Sequence, residues 1–174
     1  PFLGSNSYLS GNVYNNFSFN LLGGYSRGNR VLELGGIFNI NKEKMHGLQA
    51  AGVFNIVGDS AKGLQLAGAF NVTGRHMSGL QSAGVINLNL GSMHGYQNAG
   101  FINFNVGKVK GFQSSGVMNL NFKSMEGLMM AGLLNFTRYS VSGIQMAGLL
   151  NVSGDTLRGA SLAGAVNLNW YSNK

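Results

Sequence analysis

A 16-residue repeat runs through most of the chain and limits its fold more than any other feature. The segment from Gly47 to Asn55 reads Gly-Leu-Gln-Ala-Ala-Gly-Val-Phe-Asn, and related segments begin at residues 63, 79, 95, 111, 127, 143 and 159. No insertion interrupts the period, and a degenerate further copy begins at Val31. A fixed period indicates that each repeat is one structural unit and that successive units stack.

Two polar positions of the repeat vary little or not at all. We number the positions of each unit as columns 1 to 16, with Gly47 in column 1. Column 9 is asparagine in every copy: Asn39, Asn55, Asn71, Asn87, Asn103, Asn119, Asn135, Asn151 and Asn167. Column 3 is glutamine in six copies: Gln49, Gln65, Gln81, Gln97, Gln113 and Gln145. Amides stacked on identical neighbours hydrogen-bond in rows, so we expect both columns to form structural ladders.

Apolar and polar residues alternate with a period of two from column 1 to column 12, which is the pattern of a β-strand. Even columns contain residues such as Leu80, Ile86 and Leu88, whereas odd columns contain residues such as Gln81 and Asn87. This alternation, together with a glycine every few residues, excludes a helical fold. The sequence therefore predicts an all-β protein.

The favoured architecture is a parallel β-solenoid of 16-residue coils, in which each column stacks on itself every ~4.8 Å. Equal unit lengths, an invariant column 9 and an apolar column 15 favour this arrangement. We expect columns 2, 8, 10 and 15 to fill the interior, and the face that contains Gln, Ala, Val and Asn to point outward. Residues 31–169 then form nine repeats, residues 1–30 an N-terminal leader or cap, and residues 170–174 a C-terminal tail.

The alternative is an antiparallel transmembrane β-barrel with one strand per 16-residue repeat. Its apolar even face would contact lipid, and glutamine, alanine and asparagine would line the lumen. The net charges of the successive linkers, from residues 42–46 to residues 154–158, are +1, 0, +1, 0, +2, 0, +1 and 0. Such an alternation is expected when successive linkers lie on opposite sides of a membrane.

The unit Gly-Leu-Gln-x-Ala-Gly-x-x-Asn and the leader segment from Asn15 to Ser26 resemble a surface-repeat family of Gram-negative bacteria, whose members are secreted or associated with the outer membrane. The resemblance covers nearly the whole chain. It implies a location at the cell surface or in the outer membrane, and it carries no catalytic residues. A weaker similarity connects the chain with curli-type amyloid subunits, which also stack glutamine and asparagine.

The titratable side chains form no catalytic or metal-binding pattern. The histidines all lie in linkers and are His46, His76 and His94. The carboxylates are dispersed, and we interpret them as solvated turn residues: Glu33, Glu43, Asp59, Glu126 and Asp155. The chain contains no cysteine. We therefore expect no enzymatic activity, no metal site and no cofactor.

All twelve lysines and arginines lie outside the nine-residue motif. In a solenoid, the linker cations line one edge. This edge is either a set of turn positions at which charge is solvated and discourages aggregation of the sheets, or a contact for an anionic glycan or for the phosphate groups of lipopolysaccharide. The candidate residues are Lys62, Arg75, Lys108, Lys110, Lys123 and Arg158. Nucleic acid is not an expected partner, because the aromatic residues do not interleave with the basic ones.

The C-terminal face of the solenoid is a second candidate contact surface. Only Trp170 to Lys174 follow the last repeat, which is too short to cover a coil, so we expect other envelope proteins or a second copy to meet this face. Membrane association stays an open alternative. The sequence thus predicts a non-catalytic repeat protein of the cell surface that acts as a structural or adhesive scaffold. The alternatives are a small outer-membrane β-barrel protein and an ice-binding or fibre-forming solenoid.

Overall fold

Residues 11–170 are described by a computed structural model, and they form two ten-stranded β-sheets without a helix. The long sheet contains β1 (Tyr14–Asn20), β3 (Gly28–Gly35), β5 (Met45–Ala51), β7 (Ser60–Ala67), β9 (His76–Ala83), β11 (Ser92–Ala99), β13 (Val109–Ser115), β15 (Met125–Ala131), β17 (Val141–Ala147) and β19 (Leu157–Ala163). The short sheet contains β2 (Gly23–Ser26), β4 (Phe38–Asn41), β6 (Phe54–Val57), β8 (Phe70–Thr73), β10 (Ile86–Asn89), β12 (Ile102–Asn105), β14 (Met118–Asn121), β16 (Leu134–Thr137), β18 (Leu150–Ser153) and β20 (Val166–Asn169).

Each coil contributes one strand to each sheet, and the two sheets face each other across the interior. In the repeats, the long strand runs from column 14 or 15 to column 5 of the next unit, and the short strand occupies columns 8 to 11. Two regions connect the sheets. We call columns 6 and 7 the glycine corner. We call columns 12 to 16 the linker edge, although its last columns already belong to the long strand.

Neighbouring coils pair in parallel with a shift of 16 residues. Asn87 pairs with Asn71 on one side and with Asn103 on the other, so identical columns stack directly. All strand pairs between residues 14 and 169 are parallel. The prediction of a parallel β-solenoid is confirmed. The antiparallel alternative is wrong, because stacked coils run in the same direction.

The solenoid begins earlier than the repeat pattern. Strands β1 and β2 pair with β3 and β4 and form a first coil, which lies inside the segment that the sequence analysis treated as a leader or cap. A register shift between Asn15 and Phe17 marks this coil as irregular. Residues 1–10 of the leader and residues 171–174 of the tail lie outside the described part of the chain. Trp170, the one described tail residue, donates its backbone N–H to the carbonyl of Ser153 at 2.8 Å.

The interior is polar, so the face of each strand that points inward is the opposite of the one predicted. Column 3 and column 9 are fully buried in the central coils, as Gln81 and Asn87 show, whereas Leu80, Ile86 and Leu88 lie on the outer surface and are half-buried by their stacked neighbours. The prediction that columns 2, 8 and 10 fill the interior is therefore wrong, and the prediction for column 15 is confirmed. The Gln and Asn rows, which carried the ice-binding interpretation, do not lie on the surface.

The glycine of column 1 explains why the orientation is reversed. It lies inside the long strand and not at a corner, so columns 15, 3 and 5 continue the same alternation and point to the same side. Gly95 has φ of +124°, and a Cβ on it would lie 2.2 Å from the carbonyl oxygen of Gly79 in the preceding coil. Only glycine combines this backbone conformation with so close an approach. The strand therefore crosses column 1 without turning.

Candidate functional site

The asparagines of column 9 form a continuous hydrogen-bonded ladder along the solenoid. From Asn39 to Asn151, each Nδ2 donates to Oδ1 of the asparagine in the next coil at 2.9–3.0 Å. The second N–H donates to the backbone carbonyl of the column 4 residue in the next coil at 2.6–2.8 Å. Each buried amide thus connects two coils and both sheets, and no other side chain of this size makes all these bonds.

The glutamines of column 3 form a second ladder with the opposite direction. Gln65 donates from Nε2 to Oε1 of Gln49 in the preceding coil, and the series continues to Gln113 with distances of 2.8–3.1 Å. Asparagine donors point toward the C-terminal end of the stack and glutamine donors toward the N-terminal end. The amide dipoles of the two rows therefore oppose each other inside a narrow interior. This opposition reduces the electric field that either row would produce alone.

Column 11 connects the glutamine ladder to the short sheet, and the sequence analysis did not single it out. Its asparagines donate to the glutamine oxygens across the interior at 2.7–3.0 Å, in the pairs Asn89–Gln81, Asn105–Gln97 and Asn121–Gln113. Asn89 and Asn105 also donate to the next asparagine of their own column at 3.0 and 3.2 Å. The signal was present in the sequence, because column 11 shares the odd parity of columns 3 and 9.

Glu33 occupies the glutamine column of the first repeat, and its interpretation as a solvated turn residue is wrong. The side chain is fully buried, and its Oε2 accepts hydrogen bonds from Asn41 and Gln49, both at 2.9 Å. Its Oε1 has no hydrogen-bond partner among the described residues. Burial in the interior raises the pKa of this carboxyl, and the two amide donors only partly offset that effect.

Met129 interrupts the glutamine ladder between Gln113 and Gln145. Its side chain is fully buried, and its sulfur lies 3.1 Å from Nδ2 of Asn121. Gln145 on the other side of the gap has an Oε1 atom without a hydrogen-bond partner among the described residues. A thioether is a weak acceptor and has no donor, so it cannot continue the row.

An apolar stripe completes the interior beside the amides. The buried residues of column 15 pack along the axis: Met45, Ala61, Met77, Met93, Val109, Met125 and Val141. This stripe lies next to the linker edge, whereas the asparagine ladder lies nearer the glycine corner. Unbranched methionine adapts to the space that the stacked glutamines leave, which agrees with its interpretation as core filler.

The outer faces of both sheets are mainly apolar, with a polar interruption at Ser82, Asn98 and Ser114 of column 4. Columns 2 and 4 cover the long sheet and columns 8 and 10 the short sheet, and side chains stack along the axis as Tyr96 and Phe112 do, with ring centroids 4.9 Å apart. The glycine corner adds exposed residues of column 7, such as Phe101 and Leu149. Two shallow depressions lie along columns 4 to 6 beside this corner, and the one between Ser114 and Gly164 is lined mainly by apolar atoms. The aromatic residues that the sequence analysis placed in the core therefore form part of the surface.

The charged side chains of the repeats lie together on the linker edge. All six candidate cations for an anionic ligand are exposed there, at columns 13, 14 and 16. Arg75 pairs with Asp59 at 3.7 Å and Lys110 with Glu126 at 3.3 Å, in both cases along a column between adjacent coils. In each pair, opposite charges occupy a column in which like charges on successive coils would lie ~4.8 Å apart and repel each other.

The described residues contain no group of three or more His, Cys, Asp or Glu side chains that could hold a metal ion. Between residues 11 and 170, no helix is long and apolar enough to span a membrane. The histidines lie on the linker edge, where His76 Nδ1 is 2.6 Å from the hydroxyl of Ser92.

Comparison of the chain with protein-family models, curated proteins and solved structures found no match. The resemblance to the Gram-negative surface-repeat family therefore stays a prediction.

Replacing a ladder asparagine tests the amide network. We expect Asn103→Leu to lower the free energy of unfolding by about 1–3 kcal/mol, because buried polar groups of both neighbouring coils lose a partner. Asn98→Leu is the matched control, since Asn98 lies on the outer face at column 4. Thermal and urea unfolding followed by circular dichroism measure the difference. Equal stabilities of the two variants would contradict a bonded ladder.

Because the interior is polar, replacing a buried methionine by glutamine should not destabilise the fold at every position. Met129→Gln restores a ladder position and gives Gln145 a partner, so we expect unchanged or increased stability. Met125 is equally buried but belongs to the apolar stripe, so Met125→Gln should cost about 1–3 kcal/mol. The comparison uses the same substitution four residues apart and the same unfolding assay. Similar losses for both variants would show that the interior behaves as an ordinary apolar core.

The raised pKa of Glu33 predicts a stability that depends on pH. The protonated carboxyl stabilises the fold below the unfolded-state pKa of about 4.3, and this contribution is lost as the pH rises through the higher folded-state pKa. Glu33→Gln should therefore raise the melting temperature at neutral pH and have little effect at about pH 4. Glu126→Gln, which removes an exposed carboxylate, serves as control. An equal gain at both pH values would contradict a carboxylate that is destabilised by burial.

Proposed function

We propose that the chain is a non-catalytic structural scaffold of the bacterial cell envelope that lies with its apolar faces in a lipid layer. The main supporting observation is that the solenoid has amide ladders inside and mainly apolar side chains on both outer faces. Stable soluble monomers rarely expose apolar patches beyond a few hundred Å². Here the apolar columns 2, 8 and 10 continue through the nine repeats, over ~38 Å between the first and the last at ~4.8 Å per step.

The backbone of this fold suits contact with lipid. In hydrocarbon, an unpaired backbone N–H or C=O costs several kcal/mol, so a lipid-exposed strand requires complete internal pairing. Each coil between the two ends of the stack pairs with a coil on either side in both sheets. The faces of the solenoid therefore present side chains, and most of its interior amides are hydrogen-bonded to one another, with exceptions such as Oε1 of Gln145.

The scaffold role rests on the regularity of the surface. Columns 2, 8 and 10 are apolar in every repeat, and the residues of the described sites serve the stacking of coils. A location at the cell surface or in the outer membrane rests on the resemblance of the repeat to the Gram-negative surface-repeat family. The exposed cations of the linker edge support contact with anionic envelope components, such as the phosphate groups of lipopolysaccharide or an anionic glycan.

Vesicle flotation of the full chain tests lipid binding. We expect the chain to float with phosphatidylcholine vesicles at high salt, where electrostatic attraction is screened and apolar contact is the driving force. The double variant Leu88→Gln and Leu120→Gln changes two outer residues of column 10 and should weaken binding about tenfold or more.

The matched control is the double variant Ser92→Gln and Ser124→Gln, which introduces the same side chains at column 14 of the linker edge. It should bind vesicles like the unchanged chain. Circular dichroism verifies that both variants stay folded. A folded chain that stays monomeric in buffer and does not float with vesicles would refute the proposal.

A further inference from the structure

The charge of the repeats is confined to one of the four sides of the solenoid. Between residues 31 and 169, columns 1 to 11 contain no lysine, arginine or histidine, and their one carboxylate, Glu33, is buried inside. In these columns, the two sheet faces and the glycine corner carry apolar side chains, which are interrupted by Ser82, Asn98 and Ser114 in three successive coils of column 4. The linker edge carries nine lysines and arginines and four acidic residues, so its net charge is 9 − 4 = +5.

We propose that the solenoid inserts edge-on into a single leaflet, with the glycine corner deepest and the linker edge at the level of anionic phosphate groups. The inference deepens the proposed function and rests on it. The long axis then lies parallel to the membrane plane, and both sheet faces contact acyl chains. Each coil has the same order of columns along the membrane normal. That order runs from column 7 in the hydrocarbon to columns 12–16 at the surface.

The dimensions of the coil match one leaflet. Columns 1 to 6 span five residues, or ~16 Å at the rise of an extended strand. The hydrocarbon core of a bilayer is about 30 Å thick, so one leaflet supplies about 15 Å. The opposite arrangement, with the long axis across the membrane, would place linker charges along the whole length of the axis in hydrocarbon, because charged linkers occur from Lys42 to Arg158.

Lipid fits three apolar sides better than a second copy does. A partner chain docked on one sheet would leave the opposite sheet and the glycine corner exposed to water. The corner itself presents large apolar side chains, with Phe101 55% and Leu149 53% exposed. A fluid solvent covers all three sides at once, and the cations on the fourth side complement anionic headgroups.

Depth-dependent quenching tests the orientation, and the absence of cysteine makes labelling simple. Single cysteines at four columns of one coil receive an environment-sensitive fluorophore: Val85→Cys at the glycine corner, Leu80→Cys and Leu88→Cys on the two faces, and His94→Cys on the linker edge. We expect vesicles with bromine near the acyl-chain ends to quench the label at position 85 most strongly. Positions 80 and 88 should share a shallower depth, and position 94 should report the headgroup region.

The alternatives give different patterns. Strong quenching at only one of positions 80 and 88, with a water-like signal at the other, would show a solenoid lying flat on one sheet and overturn the edge-on orientation. No quenching at any position would refute lipid insertion, and with it the proposed function. Blue-shifted emission at positions 80, 85 or 88 without vesicles, unchanged by brominated lipid, would assign the surface to a second copy.

The linker edge is tested separately through its charge. Lys62, Lys108 and Lys123 have no carboxylate within 4.0 Å among the described residues. Changing all three to glutamine should weaken binding to vesicles that contain phosphatidylglycerol about 100-fold, or about fivefold for each cation. Binding to phosphatidylcholine vesicles should not change, and the triple arginine variant should bind like the unchanged chain. An unaltered affinity of the glutamine variant for anionic vesicles would show that this edge does not face the headgroups.

Discussion

Side-chain amides in neighbouring coils lie one strand spacing apart, ~4.8 Å, and at this spacing each asparagine of column 9 donates to the next at 2.9–3.0 Å. Burying an amide is unfavourable unless its donors and acceptor are all paired. The stack supplies partners from the coils above and below and from the facing sheet, through Asn121 and Gln113 for example. The same geometry requires parallel pairing, exact register and one unit length, because a single inserted residue would turn the amides outward.

A polar interior changes what the apolar residues do. In an ordinary domain they leave water by packing inside, whereas here the stripe of column 15 is the main apolar component of the interior. The other apolar columns stay outside, and lateral stacking along the axis covers only part of each side chain. Cohesion between coils therefore comes from backbone and amide hydrogen bonds, while the apolar faces are available for contact with another phase. Charge is excluded from these faces and collects on the linker edge, where it is solvated and paired, as in Arg75–Asp59.

The period and the invariant asparagine were sufficient to predict the solenoid, its parallel register and the stacking of Asn71, Asn87 and Asn103. The face of the strands that points inward was predicted wrongly. Alternation identifies two faces without stating which one is buried, and the usual preference for an apolar interior was applied. Column 15 contained the missing information. Its apolar residues and the glutamines of column 3 lie an even number of residues apart on one strand, so their side chains point to the same side. The position of Glu33 in that same column then follows from its register. The break at Met129 and the burial of column 11 could also be read from column identity and parity, whereas the hydrogen-bond partner that each asparagine of column 11 finds depends on packing inside the coil.

Variation among the copies within this chain separates the interior from the surface. Column 9 is always asparagine, because any other side chain would leave partners unpaired in two coils. Column 10 is always apolar but contains isoleucine, valine, leucine and phenylalanine, and column 2 varies similarly from Leu80 to Tyr96, Phe112 and Ile144. A protein partner that fits a defined surface is sensitive to such changes in shape, whereas a fluid hydrocarbon phase requires only that the residues be apolar. Columns 2 and 10 therefore vary as expected for residues whose contacts are lipid chains, and column 9 is as constant as expected for residues whose contacts are one another.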